Sequence, residues 1–157
     1  MAVFLDTNVI LRFLLRDDEV KFQRCYDLLK RAETGEERLE TSDLVISEVV
    51  WVLESTAYGL GREEIRSRLL PIVRLRGLRM PARRVLERAF DLYVTKSVDF
   101  VDAYNAATME RRRLGQIYSH DADFDKLEGI ARQEPQPGYD ESASLALRAS
   151  ACLQMPR

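Results

Sequence analysis

Short apolar runs that stop at a polar turn and give way to a helix recur along this 157-residue chain, and they constrain its fold most. Val3-Phe4-Leu5 ends at Asp6-Thr7-Asn8 and passes into an apolar segment, Val9 to Leu15, that reads as a helix. Helical spacing of Phe22, Cys25, Tyr26 and Leu29 predicts a helix over Glu19 to Ala32, closed by Gly35. A short strand is expected at Arg38 to Thr41. Ser42-Asp43 then caps a long apolar helix that ends near Tyr58-Gly59. Two further helices, Arg62 to Leu75 and Ala82 to Val94, flank a strand at Leu78-Arg79-Met80. A last helix, Val98 to Arg113, is ended by Gly115, and a strand follows at Gln116 to Ser119. Strands alternating with helices predict an α/β fold, a sandwich of helices around a central, mainly parallel sheet.

Residues 1–135 read as one domain and residues 136–157 as an appendage or tail, with a short helix expected over Ser144 to Leu153. With 46% hydrophobic and 32% charged residues the composition is that of a soluble globular protein. The first residues meet an acid at Asp6 without a basic stretch and a long apolar run, so a cytoplasmic protein without a membrane span is expected. Cys25 and Cys152 show no CxxC spacing, which argues against a structural zinc site and for reduced thiols.

The net charge of −2 is unevenly spread. Residues 1–61 carry 7 basic and 12 acidic groups, residues 62–88 carry 9 arginines and 3 acids, and the remainder carries 8 basic and 11 acidic groups. An arginine-rich middle between acidic ends suits a polyanion in one place and a metal cation in another; it equally suits a solvated, arginine-rich helix pair.

Four separated places put an acid where chemistry can use it. Asp6 follows an apolar strand, at the edge where open parallel sheets place their ligands. Glu48 interrupts an apolar helix and shares a stripe with Leu44, Val45, Trp51 and Val52, so it is expected to point partly inward. Asp102 stands near the start of its helix, and Asp121 and Asp123 follow a strand as Asp6 does. Each acid also has a purely local use: Asp6 as a helix cap, Asp99 and Asp102 as first-turn acids, and the aspartates after His120 as turn formers. Together they form an all-oxygen donor set, which selects magnesium, manganese or calcium over zinc or copper. Clustered anions persist only where a cation or protons compensate them. His120 is the sole histidine, so a histidine pair is excluded and a Ser-His-Asp triad is disfavoured. No GxxxxGK[ST] loop is present, which excludes a P-loop phosphotransferase.

The segment Phe4-Leu5-Asp6-Thr7-Asn8-Val9-Ile10-Leu11-Arg12 resembles the opening motif of PIN-domain nucleases. Ile46-Ser47-Glu48-Val49-Val50-Trp51-Val52-Leu53 is similar to their second motif, and Asp99-Phe100-Val101-Asp102-Ala103-Tyr104-Asn105-Ala106-Ala107 to their third. Tyr118-Ser119-His120-Asp121-Ala122-Asp123-Phe124-Asp125 is similar to the fourth. Order and extent, about residues 2–132, resemble the VapC-like toxins of bacterial and archaeal type II toxin–antitoxin pairs. The resemblance implies a PIN-like α/β/α sandwich and a ribonuclease using Mg2+ or Mn2+, with Asp6, Glu48, Asp102 and Asp121 as its acidic quartet. It further implies metal contacts from Asp6, Asp102 and Asp121, with Asp123 as an additional or substitute ligand. Thr7, Asn8, Asp99 and Ser119 are then supporting residues. Hydrolysis by a metal-activated water implies products with 5′-phosphate and 3′-hydroxyl ends. The arginines from Arg62 to Arg88, with Arg111 to Arg113, are candidates for an RNA backbone track. The implied partners are RNA, a cognate antitoxin and a second copy of the chain in a homodimer. Two other classes compete: an aspartyl phosphatase, disfavoured because Asn8 stands where its second Asp belongs, and a non-cleaving RNA- or protein-binding module.

Overall fold

In the computed structural model, which describes residues 1–136, strand β1 (Val3–Phe4) leads into helices α1 (Thr7–Leu15) and α2 (Glu19–Thr34). Strand β2 (Leu39–Glu40), helices α3 (Asp43–Glu54) and α4 (Arg62–Val73), and strand β3 (Leu78–Arg79) follow. Helices α5 (Arg83–Thr95) and α6 (Phe100–Arg112) come next. The described part closes with strand β4 (Gln116–Tyr118), a 3₁₀ turn (Ala122–Lys126) and strand β5 (Ala131–Gln133). The helix expected over Ser144 to Leu153, with the rest of the segment from residue 137, lies outside the described residues.

Every strand pairing is parallel. β1, β2 and β3 form one sheet in that order, with Val3 opposite Leu39 and Leu39 opposite Leu78. β4 pairs with β5. The expected strands are in place but shorter, and the ladder runs on through Leu5 N–H to Glu40 (2.7 Å) and Thr41 N–H to Arg79 (3.2 Å). Strand β5 was not expected: Ala131-Arg132-Gln133 has no apolar alternation, and only its pairing with β4 makes it a strand.

Gly77 shows how tightly α2 lies against the sheet. Its N–H donates to the Ala32 carbonyl (2.7 Å), while its own carbonyl accepts from Leu39 N–H (2.8 Å). A Cβ there would collide with the Glu37 carbonyl oxygen and stand 2.7 Å from that of Ala32. Only glycine fits.

The core lies between the sheet and the helices, and Ile46, Val49, Leu53, Leu69, Leu86 and Phe90 are fully buried in it. Phe100, at the head of α6, locks the α5–α6 hairpin, its ring 4.9 Å from Phe90 and edge-on to Tyr93 at 5.6 Å. Among the described residues no helix is long and apolar enough to cross a membrane.

Two sequence expectations fail at α3. The helix stops at Glu54 rather than near Tyr58-Gly59, because the Ser55 hydroxyl and backbone turn the chain and Gly59 takes a positive φ of 59°. Its buried stripe is Val45, Ile46, Val49, Val50 and Leu53, so Glu48 is exposed together with Leu44 and Trp51. An almost uniformly apolar helix carries little information about its own rotation, and the two largest side chains pointed the wrong way.

Candidate active site

The site is built on helix starts. Asp6 leaves β1 and caps α1: its Oδ2 accepts from the N–H and the side-chain amide of Asn8, at 3.3 and 3.2 Å. Asp99 caps α6 through Oδ1 and Val101 N–H (2.7 Å). Asp121 caps the 3₁₀ turn through Oδ1 and Asp123 N–H (2.8 Å). Each of the three spends one oxygen on its cap. The other oxygen has no hydrogen-bond partner among the described residues. The local use of these acids is therefore real, and it fixes their orientation while leaving a free acceptor. Because Asp99 is the cap, α6 starts at Phe100 rather than at Val98.

Around β1 the turn is fastened from two sides. The Thr7 hydroxyl, on a side chain that is almost fully buried, donates to Glu48 Oε2 at 2.6 Å. The buried Thr41 hydroxyl donates to the Leu5 carbonyl at 2.8 Å. Glu48 thus lies on the exposed face of α3 yet is held toward the β1 turn.

At the end of β4 the charges gather. Asp102, half-buried in the first turn of α6, has its carboxyl raised above the usual range by burial first, and then by the charges of Asp121, Asp99 and Asp123. The Ser119 hydroxyl accepts from Asp121 N–H at 3.0 Å, and Asp123 accepts from Lys126 at 2.6 Å. Arg132, on β5, donates to both oxygens of Asp125 (3.0 and 3.1 Å) and to the Ser119 carbonyl (3.2 Å), bracing the loop. Sequence reasoning missed Thr41, Lys126 and Arg132; only the spacing of Lys126 three residues after Asp123, within one helical turn, could have signalled a role.

The structure therefore sorts the sequence-predicted residues into two sets: Asp6, Thr7, Asn8 and Glu48 around β1, and Asp99, Asp102, Ser119, Asp121 and Asp123 around β4. Among the described residues no three acid, histidine or cysteine side chains stand close enough to ligate one ion together. The donor chemistry nevertheless fits a hard divalent cation: free carboxylate oxygens, mutual repulsion at Asp102, and no thiol or imidazole among them. His120 stays outside, exposed on the loop and 3.9 Å from Glu134.

A family model, the PIN domain, matches residues 3–130. The chain belongs to the PIN domain family. PIN domains are generally nucleases that use divalent metals, and the mixed helix–strand architecture with its parallel sheet is theirs. No curated protein matches the chain significantly.

Proposed function

We propose that this PIN domain is a metal-dependent endoribonuclease acting in the cytoplasm as the toxin of a VapBC-type toxin–antitoxin pair, with residues 1–135 as its nuclease unit. The observation that carries the nuclease reading is Asp102, whose carboxyl is raised by burial and by three neighbouring aspartates. Such a cluster is relieved by a cation.

Asp6 and Asp121, through the oxygens their caps leave free, and Asp102, in the first turn of α6, are the residues that would hold magnesium or manganese. Asp123 is a weaker candidate, since Lys126 already occupies one of its oxygens. A bound divalent ion supplies Lewis-acid activation of water and neutralises charge at the scissile phosphate. Glu48, steadied by Thr7, orients the attacking water or takes its proton. Attack by water rather than by the ribose 2′-hydroxyl leaves 5′-phosphate and 3′-hydroxyl ends.

The RNA track needs redrawing. Arg66, Arg68, Arg74 and Arg88 are paired with Asp91, Glu64, Glu87 and Glu110, and Arg62 lies over the Tyr93 ring at 5.3 Å. Those arginines mostly hold α4, α5 and α6 together. Arg76, Arg79, Arg84 and Arg111 to Arg113 make no ion pair among the described residues and are the better backbone contacts.

Two surface features support the partner part of the reading. An apolar cleft of about 510 Å³ between α1, α2 and α4, lined by Phe13, Leu14, Tyr26 and Leu75, suits an antitoxin segment. Leu44 and Trp51, 80% and 71% exposed on α3, suit a contact between two copies.

The test is cleavage of mixed tRNA and rRNA by purified protein with magnesium, with manganese and with EDTA, beside Asp6→Asn. Metal-dependent cleavage that leaves 5′-phosphates and is lost in the variant is expected. RNA binding that survives Asp6→Asn, with no cleavage in any metal, would instead make the chain a binding module.

A further inference from the structure

We propose that the cleft between the start of α5 and the end of α6 is a second phosphate site, which grips the backbone of the RNA away from the bond that is cut. The inference rests on the ribonuclease reading.

The cleft has a volume of about 520 Å³, and Arg83, Arg84, Arg88 and Arg111 line it over an apolar floor that includes Val85 and Ala107. Glu110 is the single acid among the lining residues, and both its oxygens are taken by Arg88 at 2.8 Å. Arg83 is turned inward onto the carbonyls of Leu75 and Leu78. Arg84 and Arg111 are left, both exposed, with neither an ion pair nor a hydrogen bond among the described residues. Two guanidinium groups facing one concavity repel unless an anion lies between them, and their planar forks match phosphate oxygens. The backbone adds to this field: Ala82, at the N-cap of α5, gives no side-chain bond, and the first turn holds no acid.

Continuity of charge favours a long polyanion over a small one. Arg79, only two residues before Pro81 of this cleft, lines a second cleft of about 430 Å³ with Arg38 and Arg76, and no acid lines it. The arginine cleft is also remote from the carboxylates. Arg111 is nine residues along α6 from Asp102, about 14 Å at 1.5 Å per residue. A phosphate held there belongs to a different nucleotide from the one attacked.

The experiment compares wild type with Arg84→Gln/Arg111→Gln in the binding of a long single-stranded RNA. Salt is stepped, and EDTA keeps the RNA whole. A charge-matched control, Lys21→Gln/Arg24→Gln, removes two positive charges from α2. The cleft double variant is expected to bind roughly tenfold more weakly and to lose about 1.4 from the slope of log affinity against log salt, while the control keeps the wild-type slope. Unfolding temperatures are read in parallel, and a variant melting as wild type assigns the loss to the cleft. Equal slopes and affinities for wild type and the cleft variant overturn the proposal. Inorganic phosphate or a mononucleotide that stabilises wild type but not the variant, with RNA binding unaltered, also overturns it by making the cleft a small-anion site. Wild type is assayed for cleavage in magnesium alongside: absent cleavage with the binding difference intact sinks the nuclease reading and leaves the cleft standing.

Discussion

The Thr7 hydroxyl reaches across 41 positions of sequence to Glu48 Oε2 at 2.6 Å, tying the turn after β1 to the exposed face of α3. Glu48 would otherwise swing freely in solvent. Thr7→Val keeps the branched shape and removes the donor, so cleavage is expected to fall by about tenfold and stability by about 1 kcal/mol. Thr7→Ser restores the donor and much of the rate. Single-turnover rates for the three proteins decide this, and a full rate in Thr7→Val would show that Glu48 needs no anchor.

Asp102 makes a prediction with a sign. Its carboxyl is raised by burial, then by Asp121, Asp99 and Asp123, so its contribution to stability is fully present below the ordinary value of 3.8 and is lost as pH rises through the raised value. At pH 7 the metal-free protein carries that loss. Asp102→Asn, neutral at every pH, is expected to melt a few degrees higher than wild type at pH 7 in EDTA. Below the ordinary carboxylate range the two should melt together. Added magnesium or manganese should raise the melting temperature of wild type more than that of the variant. A lower melting temperature for the variant at pH 7 in EDTA would count against repulsion at this site.

Gly77 predicts a steric effect. Gly77→Ala would press a methyl group into the carbonyls of Glu37 and Ala32, so α2 must shift away from the sheet. A loss of about 1–3 kcal/mol in urea unfolding is expected. An unchanged midpoint would mean that the approach of α2 is loose.

Tyr104 joins α6 to the start of α3, its hydroxyl donating to Asp43 Oδ2 at 2.5 Å. Burial and Asp43 push its ionisation up from 10.0 to about 12. The stability it contributes is therefore present below pH 10 and disappears as pH climbs to about 12. Tyr104→Phe leaves Asp43, whose Oδ1 already lacks a partner, without its phenol donor, at a cost of about 1 kcal/mol. Unfolding of the two proteins between pH 8 and pH 12 should converge at the alkaline end.

The alternation of strand and helix was legible because its signals are local: apolar runs, capping residues and glycines act within a few positions of themselves. Gly35 ends α2 with a φ of 82°, as its place after Ala32 implied. That Asp6 and Asp121 follow strands and that Asp102 opens a helix was legible for the same reason, since strand ends and helix starts carry local signals. Elements whose identity depends on a partner were not legible. Ala131-Arg132-Gln133 becomes a strand only beside β4, and the rotation of α3 is set by what packs on it. Which arginines of the block are already paired was not legible either, since composition counts charges and the fold decides which are neutralised, as Arg88 is by Glu110.

The two sets of acids gather about the turn after β1 and the turn after β4, so the order of synthesis matters. Asp6 belongs to the first strand turn of the domain, while Asp121 and the bracing Arg132 arrive only after most of the domain has been made. A nascent or prematurely terminated chain that stops short of β4 holds Asp6 and Glu48 but neither Asp121 nor the support of β5. On the ribonuclease reading proposed above, such fragments would lack the second set of acids, and the site would be whole only once β4 and β5 have been made.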